Sequence, residues 1–135
     1  MASFNKISSF VADVANGVHN LSTGVLKVAL TNVAPTASSV NLASITEISY
    51  TNCSSRDVTT ISSTQTTGLY KLLLTDLVLT ASGTVGPFRY IVLYNDTAAS
   101  KQLLGWYDYG SAITLSTGDS FTIDFSSANG LIQLT

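Results

Sequence analysis

Two rhythms of apolar and polar residues run along this chain. In the opening segment Phe4, Ile7, Phe10, Val11, Val14 and Val18 recur at helical spacing, which puts them on one side of an α-helix. Ser3 is a residue type that caps a helix start, and Gly17 one that ends a helix in a left-handed turn. The expectation is one amphipathic helix over residues 3–18.

Beyond it the rhythm changes to strand and turn over residues 24–135. Val25 to Thr31 alternates Leu26, Val28 and Leu30 against Lys27, Ala29 and Thr31. Residues 33–46 contain Pro35 and many small residues, and read as a long connection with a short helical turn near Leu42 to Ile45. Arg56 to Ser62 reads as a β-branched, polar strand and Thr64 to Gly68 as a turn. Tyr70 to Thr80 is apolar enough for one central strand. Ser82 to Pro87 is a Gly/Pro turn. Phe88 to Tyr94 has the strongest strand signal, being aromatic and β-branched. Asn95 to Ser100 turns, and Leu103 to Tyr109 is a further strand that Gly110 and Ser111 break. Ile113 to Leu115 is brief, Thr117 to Asp119 turns and Phe121 to Phe125 alternates. Asn129-Gly130 is a hairpin signal before Leu131 to Leu134. This makes eight or nine short strands, with turn signals about every 8–12 residues, as in a sandwich or barrel. Without long intervening helices a parallel α/β sheet is not expected. The length of 135 residues fits one domain.

Strand alternation sorts the aromatic residues. Phe88, Tyr90, Val92 and Tyr94 share one face of their strand, opposite Arg89, Ile91 and Leu93. In the next strand Trp106 and Asp108 share a face, opposite Tyr107 and Tyr109. Strands apolar on both faces are central in a sandwich or buried against a partner. Arg89, Trp106, Tyr107 and Tyr109 combine large contact area with polar tips, the usual chemistry of interface anchors. Alternation forbids Trp106 and the two tyrosines from meeting one partner through a single sheet face, so one set belongs to the core and the other to an interface.

Composition narrows the function. Charged residues are only 10% of the chain, with a net charge of −2. The six Lys and Arg residues are scattered, so no basic surface is expected for nucleic acid. Mean hydropathy is +0.34, yet no apolar run approaches the roughly 20 residues that span a bilayer. Asp13 interrupts what would be the apolar region of a signal peptide, so the chain is expected to be unsecreted. One cysteine, Cys53, permits no internal disulfide and fits a reducing compartment such as bacterial cytoplasm. Few charges and much apolar surface leave a chain poorly defended against association, which suits a protein whose working state is assembled.

Candidate chemistry is thin. His19 is the sole histidine and no G-x-S-x-G elbow is present. One His and one Cys cannot fill a zinc site, and the carboxylates form no calcium-loop run. Asp119 and Asp124 are read onto one strand, pointing to opposite faces. Gly83 to Pro87 lacks the lysine and helix of a phosphate-binding loop. The expectation is a non-enzyme with no cofactor and no metal site.

Several stretches resemble a group of small tailed-bacteriophage and prophage structural proteins. They are Phe4-Asn5-Lys6 through Phe10-Val11 to Val18-His19-Asn20-Leu21, and Leu26-Lys27-Val28-Ala29-Leu30-Thr31-Asn32. Gly86-Pro87-Phe88-Arg89-Tyr90-Ile91-Val92-Leu93-Tyr94-Asn95-Asp96, Gly105-Trp106-Tyr107-Asp108-Tyr109-Gly110 and Gly118-Asp119-Ser120-Phe121-Thr122-Ile123-Asp124-Phe125 add to the likeness. The resemblance implies a virion component, made in the host cytoplasm, with a jelly-roll-like antiparallel β-sandwich. It further implies a capsid cement, or decoration, subunit on the head surface. Its partners would be the major capsid protein and copies of itself in a homodimer or small homo-oligomer, with no direct contact to nucleic acid or membrane. The alternative of a different class is a tail-associated or lectin-like module that binds the host, which exposed Trp106, Tyr107 and Tyr109 in a concave patch would support.

Overall fold

A computed structural model describes residues 3–125 and 130–134. The chain is mainly β, with antiparallel sheets and one short helix. Its elements are β1 (Phe4–Lys6), α1 (Phe10–Ala15), β2 (Leu26–Thr31), a 3-10 turn (Leu42–Ser44), β3 (Asp57–Val58), β4 (Thr60–Thr66), β5 (Leu69–Leu74), β6 (Leu77–Thr80), β7 (Val85–Asn95), β8 (Leu103–Leu115), β9 (Ser120–Ile123) and β10 (Ile132–Leu134). They form three sheets, ordered β1-β8-β7-β2-β3, β10-β5-β4 and β6-β9.

The expected helix over residues 3–18 is a correction. Only Phe10–Ala15 is helical, and Phe4–Lys6 is a strand on the edge of β8. Phe4, Ile7 and Phe10 are spaced as on a helix, but a strand, a turn and a helix in succession bury them just as well. Phe4 pairs with Tyr107 and Lys6 with Gly105. Gly105 is what admits β1, because a Cβ there would collide with the Asn5 carbonyl and the Phe4 ring. Ser3 therefore caps nothing. Ser9 stands at the N-cap and makes no side-chain capping bond. Gly17 does end the helix: its N–H bonds to the Val14 carbonyl and that of Val18 to Asp13, with Gly17 at φ +78°.

β7 is central, as its composition predicts, between β8 and β2. Val28, Ala29 and Leu30 are fully buried, as are Phe88, Val92, Leu103 and Leu104. The short helical turn falls at Leu42–Ser44, where it was expected. Four other expectations change. Residues 70–80 are two strands in different sheets, β5 and β6, separated at Thr75 and Asp76. The Asp76 carboxylate accepts a bond from the Phe125 N–H, tying that corner to the end of the β9 segment. Gly110 and Ser111 do not break β8, which runs on to Leu115. The polar strand expected at 56–62 is β3 and then β4, and β4 continues to Thr66, leaving only Thr67 and Gly68 as the turn. Asp119 lies in the turn before β9 and Asp124 just after it, so no strand holds both. Of the expected Asn129-Gly130 hairpin, Asn129 lies outside the described residues.

The β2 edge away from β7 is sealed. β3 covers Leu26 and Lys27. Farther along, the Leu30 N–H donates to the Tyr50 hydroxyl (2.9 Å), which donates to Glu47 (2.8 Å). Arg56 donates to the Val28 carbonyl (2.7 Å) and lies 3.6 Å above the Tyr50 ring. Side chains thus satisfy edge groups that no regular strand reaches.

Candidate functional site

The four candidate anchors fall around one irregularity in the β7–β8 ladder. Ile91 pairs with Tyr107 and Tyr90 with Asp108, but the next pair is Phe88 with Ile113. Residues 109–112 of β8 therefore stand opposite Arg89 alone, and the surplus backbone bulges outward. Bulges re-aim side chains. The two tyrosines that alternation puts on one face differ in depth: Tyr107, where the ladder is regular, is 8% exposed, and Tyr109, where the bulge begins, is 53% exposed.

An ion pair holds the base of the bulge. Arg89 Nε and Nη2 donate to the two oxygens of Asp108 at 2.8 and 3.1 Å, a bidentate arrangement. Asp108 also accepts the Gly110 N–H at 2.8 Å. Arg89, followed by that N–H, holds the Asp108 carboxyl below its ordinary range, and the same bond raises the guanidinium. The Arg89 guanidinium carbon lies 5.4 Å from the Tyr90 ring centre. Both charged side chains are more than a third exposed, so the pair positions backbone more than it stabilises the fold.

On the opposite face Tyr109 leans on Phe121 with ring centres 5.4 Å apart, and Phe121 meets buried Phe88 edge-on at 5.4 Å. These rings wall a shallow hollow of about 280 Å³ that Ile91, Tyr107, Thr122 and Asp124 also line. Tyr107 forms its floor, with ring contacts to Phe4 and Phe125. Burial, then Asp124 and Asp76, push the Tyr107 hydroxyl up to about 12.

The predicted residues are thus divided three ways. Tyr107 is core. Tyr109 is a surface ring on the hollow. Arg89 joins Asp108 and Tyr90 at the bulge, and Trp106, half-buried, packs partly against the core. Sequence reasoning missed Asp108 as the partner of Arg89, and Phe121 as the support of Tyr109. The Asp108 pairing was recoverable in principle, since Arg89 is the one charged residue on β7 and Asp108 the one on β8; Phe121 reaches Tyr109 from another sheet and left no local signal.

A second polar cluster lies under α1. His19 is 7% exposed, and its Nδ1 lies 3.0 Å from the Asn95 amide nitrogen. The Thr97 N–H and hydroxyl both donate to Asn95 Oδ1, which fixes the amide orientation. Asn95 must then donate to His19 Nδ1, so the neutral ring carries its proton on Nε2. Burial lowers the His19 pKa, and nearby Asp13 opposes the shift in smaller measure. Among the described residues no group of three or more His, Cys, Asp or Glu side chains could hold a metal. Cys53 is a half-buried free thiol, raised by burial. No helix among the described residues is long and apolar enough to cross a membrane.

Comparison with known proteins finds no match to a family model, to a curated protein or to a solved structure.

Proposed function

We propose that this chain is a structural subunit of a tailed-bacteriophage virion: a capsid cement protein that binds between major capsid subunits on the head surface and stabilises the shell. In the same reading its antiparallel sheets form a jelly-roll-like sandwich, and the protein performs no catalysis. The observation that supports the reading best is the braced bulge. Exposed Tyr109 is braced by its ring contact with Phe121, and the bidentate Arg89–Asp108 pair fixes the bulge from the other face of the sheet, which gives an extended protein surface a rigid aromatic anchor. The choice of partner rests on the phage-protein resemblance of the sequence. Stabilisation would be passive: binding to the assembled shell favours it by mass action, and repetition around the head multiplies weak contacts.

The test is to add variants to heads stripped of this protein and measure occupancy alongside each variant's melting curve. Tyr109→Ala should fold normally and load poorly, losing roughly 2 kcal/mol of binding if it is a hot spot. Full loading by Tyr109→Ala and Arg89→Ala, both well folded, would remove this surface from the contact. The hollow beside Tyr109 favours a second reading, a host-binding module for glycan. There an exposed ring would stack on a sugar face while Thr122 and Asp124 bond its hydroxyls. Saturable binding to host surface glycan, lost in Tyr109→Ala, with no binding to heads, would select it.

A further inference from the structure

β4 is the outer strand of the β10-β5-β4 sheet, and among the described residues no strand pairs with its other side. The backbone groups that face outward can be identified. β4 and β5 are joined by the two-residue turn Thr67-Gly68, closed by the Thr66 and Leu69 pair. In such a hairpin the closing pair is hydrogen-bonded, and bonded pairs then alternate. Thr66, Thr64 and Ser62 thus bond inward to Leu69, Lys71 and Leu73, while Ser63 and Gln65 direct N–H and C=O away from the sheet. A register shift confines the irregular part to the segment between Thr60 and Ser62, leaving Ser62–Thr66 regular.

The usual protections of an open edge are a charge, a proline, or a covering segment. The strand Thr-Ile-Ser-Ser-Thr-Gln-Thr has neither charge nor proline. The loop after α1 does not close over it: an open cleft of about 650 Å³ lies between Ser63, Gln65 and Tyr70 on one side and His19, Asn20 and Ser22 on the other. Ile61, beside the regular stretch, is 62% exposed.

From this we infer that β4 pairs antiparallel with β4 of a second copy of this chain, across a twofold axis at Thr64. The occupant follows from the chemistry of the strand. In that register Ser63 of each copy opposes Gln65 of the other, both from the outward-facing set, which gives four main-chain hydrogen bonds. Thr64 meets Thr64, a favourable cross-strand pair, and Ser62 meets Thr66. An uncharged hydroxyl strand opposes itself without like-charge conflict, so one patch serves both partners, as twofold symmetry demands. Two three-stranded sheets become one of six. The contact lies on β4, not on the Tyr109 bulge, and the inference stands apart from the capsid reading.

Sedimentation equilibrium over a wide concentration range tests it. The wild-type chain should dimerise. Thr64 is exposed, so Thr64→Lys should melt as wild type does, yet it places two lysines opposite each other beside Lys71 of each copy. Self-association should weaken on the order of tenfold or more. Mixing Thr64→Lys with Thr64→Glu should restore a dimer containing one chain of each. Tyr109→Ala should dimerise as wild type does. A wild-type chain that stays monomeric overturns the inference, as does a Thr64→Lys dimer as tight as wild type. Loss of the dimer in Tyr109→Ala would move the contact to the bulge and overturn it too.

Discussion

The molecule treats two of its sheet edges in opposite ways. At β2 the exposed backbone is closed by β3, by the Tyr50 hydroxyl on the Leu30 N–H and by Arg56 on the Val28 carbonyl. At β4 nothing comparable is found among the described residues: the strand is uncharged and its outer side carries no pairing strand. β2 is buried along almost its whole length, whereas β4 has no fully buried residue. An unpaired group at a buried edge loses water without regaining a bond, while one at an exposed edge keeps its water until a partner arrives. Stability therefore resides on the β2 side, and the β4 side is left available for association.

The largest effect that would sharpen this contrast is a cavity in the sealed ladder. Leu30→Ala, at a fully buried position, should cost about 2–5 kcal/mol in a denaturant titration. A loss no larger than that of an exposed β4 substitution would erase the distinction. Next comes the seal itself. Tyr50→Phe keeps the ring under Arg56 but removes the acceptor for the Leu30 N–H, and should cost about 1–3 kcal/mol by the same titration. An unchanged midpoint would mean that the edge does not need its cap. The third effect is acid on the same ladder, since Asn95 pairs with Leu26 of β2. The folded pKa of His19 lies below its ordinary 6.5. The associated stability is present above 6.5 and is lost as pH falls from there through the folded pKa, because the unfolded chain takes up the proton first. Melting temperature should fall over that window, and His19→Gln should flatten the dependence. An identical profile for the two proteins would assign the acid sensitivity elsewhere.

Much of the β2–β7–β8 ladder was legible, because its strands are long, β-branched and apolar where pairing buries them. The helix was not, because the spacing of Phe4, Ile7 and Phe10 is shared by two solutions and the choice is made by Gly105, about a hundred residues downstream. Nor was the corner at Asp76, since Tyr70 to Thr80 is nearly continuous in its apolar pattern while the Asp76 carboxylate binds the backbone of Phe125. Of the candidate site, the residue types were readable and the geometry was not. Alternation puts Tyr107 and Tyr109 on one face, and both line the hollow, but the bulge that begins at Tyr109 leaves no mark in composition, so the burial of one and the exposure of the other could not be read. Tyr50 and Arg56 were invisible as edge caps, because a side chain that bonds a distant main chain follows no period.

The pairing of β1 with β8 also bears on the order of events as the chain is made. Phe4 leaves the ribosome about a hundred residues before Tyr107, its partner in the ladder, and must wait for it. Chain elongation proceeds at about 5–20 residues per second, so the wait lasts roughly 5–20 seconds. Closing so long a loop is entropically slow compared with forming the β4–β5 hairpin, whose ends meet across two residues. The hairpin can form while the chain is still growing, whereas the five-stranded sheet waits for β8, when the first of its strands in the chain docks against the last of them to be made.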